Sequence, residues 1–172
     1  MHHFPARLMR LLRHRWIEEF RMPRAAGPAL RETLARRVAD SEQRHTGQIR
    51  ICIEGGLPTS YIWRDANARE RAITLFGKLR VWDTERNNGV LIYLLMAEHA
   101  IEIVADRGIN ARVPDADWAA LTQRMSESFR ADRFEEGLTQ ALDKITALLV
   151  AHFPRQNGDC DRNELPNEPV II

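Results

Sequence analysis

The chain lacks the long apolar runs and the paired cysteines that define two large protein classes. Its longest uninterrupted apolar stretch is Val90–Ala97, whereas a membrane-spanning helix needs roughly 20 such residues. The only cysteines are Cys52 and Cys160, far apart in sequence. This spacing gives no disulfide framework and suits a reducing compartment, and one bridge between the two is the less favoured alternative. The formal net charge of +1 gives no general attraction to nucleic acid.

Familiar catalytic motifs are also missing. The sequence has no GxSxG, GxxxxGK[ST], GxGxxG or HExxH pattern and no CxxC pair. His45, His99 and His152 are scattered along the chain. The start of the sequence has no uninterrupted apolar core of a secretory signal, so we expect a cytoplasmic location. These gaps leave a binding or accessory role as the first hypothesis.

Residues 1–27 form a basic, amphipathic N-terminal segment that ends in the sequence PRAAGP. Leu8, Leu12 and Trp16 lie near helical spacing, with arginines among them. One interpretation is a helix over residues 4–20 that lies on an anionic membrane without spanning it. The other, which the pattern favours, is a helix that packs these apolar residues onto the domain or onto a partner chain.

The rest of the chain, 44% apolar overall, predicts one domain over residues 28–154 and a polar tail over 155–172. Alternation at Ile49, Ile51 and Ile53 predicts a strand with one face inward, and Val90–Ala97 is typical of a central strand covered on both faces. Ala100–Ala105 predicts the returning strand of a hairpin. Helices are expected at about 30–44, at about 65–79 with Asp65 as cap and Ile73 buried, at about 115–129, and at about 132–149 with Asp132 as cap.

This order predicts an α/β fold with a small mixed sheet and helices packed on both faces. The topology brings polar residues from distant positions to the two edges where the strands end. Carboxylate and amide oxygens are ligands for Ca or Mg, and an arginine beside them can hold a phosphate; the alternative is ordinary turn and helix-start chemistry. The first candidate edge comprises Asp83, Asn87, Asn88, Asp106, Arg107 and Asp115, with Asp106 and Asp83 as metal ligands, and the secondary edge comprises Glu54, Glu98 and His99.

The stretch NNGVLIYLLMAEHAIEIVADRGINA resembles the TPM domain family, as do TGQIRICIE before it and FRADRFEEGLTQAL and NELPNEPVI after it. The likeness is to the soluble bacterial branch, which is related to thylakoid-lumen photosystem-repair proteins, and covers about residues 30–172. It implies an α/β sandwich, and some members are described as acid phosphatases with a divalent cation. Asn88, Gly89, Asp106 and Gly108 match the family's turn positions, but VADRGIN replaces a GYG-like pattern of tethered members. The resemblance also implies an envelope partner of the LemA type.

Overall fold

A computed structural model describes residues 4–20, 26–131, 133–156, 158–159 and 163–172. The predicted cap Asp132 and residue Cys160 lie outside the described residues. The helices are α1 (Phe4–Phe20), α2 (Pro28–Glu42), α3 (Thr59–Trp63), α4 (Ala68–Lys78), α5 (Arg107–Asn110), α6 (Asp115–Arg130) and α7 (Phe134–His152), and the strands are β1 (Gln48–Glu54), β2 (Gly89–Leu95), β3 (Ala100–Ala105) and β4 (Val170–Ile171).

The four strands form one mixed sheet in the order β3-β2-β1-β4. Strands β1 and β2 are parallel, with Gln48 opposite Gly89, and β2 and β3 form an antiparallel hairpin. The predicted mixed sheet, in which a crossover connects the parallel strands β1 and β2 and a hairpin follows, is therefore confirmed. The C-terminal tail adds β4 parallel to β1, with Val170 opposite Cys52, which closes that edge of the sheet.

Strand alternation sorts the core into two layers. The alternate strand residues that include Ile51 and Ile92 face helices α2, α6 and α7. The strand residues between them, which include Leu91 and Tyr93, face α3 and α4. The prediction that only one face of β1 points inward is wrong, because Cys52 and Glu54 on the other face are buried as well. Helices on both sides of the sheet explain this, and they confirm the α/β fold with two helical layers.

Helix α4 begins later than predicted. Asp65 has a left-handed backbone with φ 58° and is not the cap. Asn67 caps α4 through a capping box, in which its side chain accepts from the Glu70 N–H and Glu70 reaches back to the Asn67 N–H. The prediction that Ile73 is buried is also wrong, because Ile73 is 53% exposed whereas Arg71 is buried.

Helix α1 packs against the α/β domain, but not through the predicted residues. His14 and Ile17 are buried, whereas Leu8, Leu12 and Trp16 are each about half exposed. The prediction that these three pack onto the domain is therefore wrong. The sequence showed an apolar stripe, but buried polar contacts of α1 decide which side of the helix turns inward. No helix of the described residues is long and apolar enough to cross a membrane.

Candidate functional site

Three of the predicted site residues meet where β2 begins and β3 ends. Asn87 has a left-handed backbone with φ 51°, and its Oδ1 accepts a hydrogen bond from Arg107 Nε at 3.2 Å. The Asn87 carbonyl accepts from the Gly108 N–H at 2.9 Å, and a Cβ at Gly108 would lie 2.5 Å from that oxygen. Asp106 caps α5, because its side chain accepts from the Arg107 N–H at 2.7 Å. Much of this polar cluster therefore holds the turn against α5.

Asn88 and Asp106 each bury a side-chain oxygen that has no hydrogen-bond partner among the described residues. The Asn88 amide donates to Thr46 Oγ1 at 3.5 Å, which leaves its Oδ1 unpaired. Strand register assigns Asn88 to the face of Val90 and Asp106 to the face of Val104, and these are opposite faces of the sheet. The two oxygens are therefore separate features rather than halves of one ligand pair.

The other two residues predicted for this edge, Asp83 and Asp115, are both exposed. The exposed Asp83 carboxylate is 3.9 Å from the Arg80 guanidinium, and Asp115 is exposed at the start of α6, where it lines a groove beside β3. Within the described ranges, no three His, Cys, Asp or Glu side chains are grouped to hold a metal ion. A Ca or Mg ion held by Asp106 and Asp83 therefore stays a prediction.

At the secondary edge, Glu54 is the centre of a buried polar cluster. Arg71 donates from Nη2 to Oε1 at 2.6 Å and from Nε to Oε2 at 2.9 Å. Tyr93 donates its hydroxyl to Oε2 at 2.6 Å, and the Arg71 guanidinium lies 5.1 Å from the Tyr61 ring centroid. The cluster joins β1, β2 and α4, and it satisfies a carboxylate that is only 3% exposed.

Burial and the charge of Glu54 shift the pKa of the groups around this carboxylate. They raise the pKa of Tyr93, so the phenol remains a donor. Burial, the largest single effect, would lower the pKa of Arg71, but the hydrogen bonds and the charge of Glu54, with smaller contributions from Tyr61 and Tyr93, together outweigh burial and raise it. Burial, followed by the charge of Glu54, raises the pKa of the Cys52 thiol to about 12. Cys52 is therefore a neutral, buried thiol rather than a nucleophile.

Glu98 binds helix α1. Its Oε1 accepts from Arg10 Nε at 2.7 Å and lies 3.1 Å from His14 Nε2. His14 Nδ1 accepts from the Leu57 N–H at 2.8 Å, so the ring proton sits on Nε2 and is donated to Glu98. Burial would raise the pKa of Glu98, but the hydrogen bonds from His14 and Arg10 outweigh burial and lower it. This predicted site residue therefore anchors the N-terminal helix.

Two glycines allow α1 to approach this edge closely. A Cβ at Gly55 would lie 2.9 Å from Glu18 Cα, and a Cβ at Gly56 would lie 2.8 Å from the His14 carbonyl oxygen. Both contacts are with backbone atoms, which cannot turn aside as a flexible side chain can. The pair Gly55-Gly56 therefore serves as the seat of α1.

His99, the third residue predicted for this edge, makes no hydrogen bond or ion pair with the Glu54 cluster or helix α1 among the described residues, but lies in the hairpin turn. It occupies the left-handed region with φ 49° at the end of the turn between β2 and β3. Its ring packs edge-on against Phe129, with centroids 5.9 Å apart. This contact ties the hairpin turn to the end of α6, so Glu54, Glu98 and His99 serve three separate structural contacts.

A buried hydroxyl–imidazole network was not predicted from the sequence. Ser41 Oγ lies 2.8 Å from His45 Nε2 and 2.6 Å from Thr146 Oγ1, and His45 Nδ1 donates to the Gly47 carbonyl at 3.1 Å. Burial lowers the pKa of His45 to about 4, so the ring is neutral. All three side chains are 6% exposed or less. A catalytic serine must reach a substrate, so this network joins α2 to α7 instead.

Glu42 is a second buried polar group that sequence reasoning missed. Its Oε1 accepts from the Ile49 N–H at 2.9 Å, and its backbone carbonyl accepts from Arg155 Nη2 at 2.8 Å. Burial raises the pKa of Glu42 to about 7. The only sequence signal was position: Glu42 follows Leu34 and Val38 on the inward side of α2 at helical spacing.

Comparison with known proteins agrees with this architecture. The model of the TPM domain family matches residues 27–148. The NMR structure of the BA42 protein from the psychrophilic bacterium Bizionia argentinensis superposes with a TM-score of 0.73 at 27% identity, over 85% of this chain and 94% of that one. The N-terminal domain of a P. gingivalis protein shares the fold, with a TM-score of 0.57 at 19% identity over 76% and 82% of the two chains. No functionally curated protein matches the chain. Since the family model spans well over half of its length, the chain belongs to the TPM domain family.

Proposed function

We propose that this chain is a non-catalytic binding module that lies on an anionic membrane surface through α1. The observation that carries the proposal is the division of α1 into two sides. Arg10, His14 and Ile17 hold the inner side on the domain, whereas Leu8, Met9, Leu12 and Trp16 are between 48% and 69% exposed. A helix fixed in this way presents its apolar side without first having to detach.

Basic residues flank the exposed apolar side. At about 100° per residue, the arc from Leu8 through Leu12 and Trp16 to Met9 spans about 100° of the helix circumference. By the same count, Arg15 and Arg13 lie about 20° and 40° beyond its two margins. Arg15 also pairs with Glu18 at 3.0 Å. Large apolar residues between arginines are typical of helices that lie in the interface of anionic bilayers.

Vesicle flotation tests this role. The full chain is expected to float with phosphatidylcholine vesicles that contain phosphatidylglycerol, and to float less at high salt because screening weakens the contact of the arginines. The double variant L8D/L12D should lose this binding while its circular dichroism stays unchanged. Ile73→Asp is the matched control, since Ile73 is equally exposed but lies on α4. Equal flotation of L8D/L12D and the parent chain would contradict the proposal.

The family resemblance adds a partner to this proposal. A LemA-type envelope protein would meet a cytoplasmic chain at the same membrane surface. Co-purification of tagged chain with a LemA-type protein, compared between the parent and L8D/L12D, tests whether the partner or the lipid recruits the module. Equal recovery of the partner with both chains assigns recruitment to the protein, and loss with the variant assigns it to the membrane.

A second candidate function is a weak phosphomonoesterase that depends on a divalent metal. It is supported by the unpaired buried Oδ2 of Asp106, since an unsatisfied buried acceptor is a place for an ion or a water molecule. Asp106 would hold Ca or Mg, and the ion would polarise a phosphate oxygen. Hydrolysis of an aryl phosphate should then require the ion and be lost in Asp106→Asn but kept in Asp143→Asn, since Asp143 is exposed on α7 and belongs to neither candidate edge. Activity that survives Asp106→Asn rules this candidate out.

A further inference from the structure

The two edges of the sheet differ in the described part of the chain. The C-terminal strand β4 closes the β1 edge, where the Ile172 N–H bonds to the Ile53 carbonyl and the Gly55 N–H bonds to the Ile172 carbonyl. Strand β3 forms the opposite edge. An outer strand presents a row of backbone groups that can pair with another extended chain.

The register shows which backbone groups of β3 face outward. The Asp106 N–H bonds to the Gly89 carbonyl at 2.9 Å, and bonded pairs then alternate along an antiparallel ladder. The backbone groups of Ile101, Ile103 and Ala105 therefore point away from β2. Among the described contacts, one of these groups has a partner: the Ile103 carbonyl accepts from Arg69 Nη1 at 2.5 Å.

The part of this edge formed by Ile103 and Ala105 lies at the floor of a groove of about 410 Å³, which we call the edge groove. Arg69 on α4 forms one wall, and Asp115, Trp118, Thr122 and Ser126 on α6 form the other. Helix α6 runs antiparallel to β3, because Phe129 near its end contacts His99 just before the strand. The groove therefore follows the strand direction, as an extended ligand requires.

The walls supply hydrogen-bond donors in addition to the edge. The Trp118 indole N–H is buried and has no acceptor among the described residues, although buried indole N–H groups normally have one. The Arg69 side chain is 49% exposed, and within the described residues its contacts with Ile103 and Glu102 use Nη1. The Nε and Nη2 groups of Arg69 remain available to an acceptor such as a carboxylate.

We propose that the edge groove binds an extended peptide segment of a partner protein, which adds to β3 as a further strand. Its backbone pairs with the Ile103 N–H and with both backbone groups of Ala105, and a carboxylate side chain reaches Arg69. Strand addition of this kind obtains affinity from main-chain hydrogen bonds and specificity from the flanking pockets. The site is separate from the membrane-facing side of α1, so either role can fail while the other stands.

Titration of the isotope-labelled full chain with the acetylated heptapeptide TVTEVTV tests this assignment. We expect millimolar peptide to shift the amide signals of Ile103 and Ala105 and to slow their hydrogen exchange. The peptide with Glu replaced by Lys should bind several-fold more weakly because Arg69 repels it. A peptide methylated at the backbone nitrogens that face the strand should not bind, whereas methylation of the alternate nitrogens should be tolerated.

Two protein variants complete the test. Ala105→Pro removes an outward N–H while leaving the β2 ladder intact, since proline is tolerated at edge positions of this kind. Ser126→Trp fills one end of the groove. Both should abolish the shifts, whereas Trp82→Ala, an exposed residue elsewhere, should not. The proposal is overturned if TVTEVTV causes no shifts at the edge, if its shifts map to α1, or if sedimentation shows a dimer that Ala105→Pro dissociates, because a second copy then fills the groove.

Discussion

Removing the positive partner of Glu54 should have a large effect on stability. Arg71→Met keeps most of the side-chain volume on α4 but removes both guanidinium contacts, at 2.6 and 2.9 Å. Glu54, which is 3% exposed, would retain only the hydrogen bond from Tyr93. Breaking a buried ion pair from one side costs about 3–5 kcal/mol, because an uncompensated charge stays buried.

A second variant identifies the cause of this loss. The double variant E54Q/R71M should recover much of the loss, because the buried charge is gone.

Urea unfolding followed by tryptophan fluorescence measures these free energies. A loss of about 3–5 kcal/mol corresponds to a fall in Tm of about 6–20 °C for a chain of this size. Arg64→Met is the matched control, since the Arg64–Glu70 pair at 2.9 Å is exposed and such pairs contribute about 0–1 kcal/mol. A loss in Arg71→Met no larger than that of Arg64→Met, or no recovery in E54Q/R71M, would refute the assignment of Glu54 as a buried, compensated charge.

Two further predictions concern the seat of α1 and the buried titratable groups. Gly56→Val should displace α1 from the His14 backbone and increase hydrogen exchange along the helix, whereas Gly77→Ala, with open space around its Cβ position, should not; unchanged protection of α1 in Gly56→Val would contradict the close seat. Glu42, with its pKa raised to about 7, stabilises the fold at low pH and loses that contribution as pH rises toward 7. His45, with its pKa lowered to about 4, contributes above pH 6.5 and loses this as pH falls toward 4. The pH dependences that these two groups give to the unfolding free energy have opposite signs. In urea titrations, Glu42→Gln should therefore show an unfolding free energy that rises between about pH 4.5 and 6.5, by at most about 1.4 kcal/mol per pH unit. A flat profile would contradict the His45 assignment.

The sequence by itself determined the order of the main helices and strands, the family and the central strand, whereas the short elements α3, α5 and β4 were not predicted. Alternation and an unbroken apolar run depend on local periodicity, which one sequence displays directly. The hairpin geometry also followed, since Asn87 and Arg107 meet at 3.2 Å. The left-handed positions at Asp65 and His99 were not predicted, because non-glycine residues adopt that region only where the surroundings require it.

Tertiary structure alone decided what the polar residues do. Glu54 and Glu98 were expected together at one edge, but Arg71 and Tyr93 enclose the first and Arg10 and His14 bind the second. These partners come from positions far apart in the chain, so no spacing rule connects them. Tertiary contacts also decided which side of α1 is buried. The apolar stripe of α1 suggested that its own side faces the domain, but the buried hydrogen bonds of His14 with Leu57 and Glu98 turn a different side inward. Periodicity fixes which helix forms, but the desolvation cost of each polar group decides which side of it can be buried.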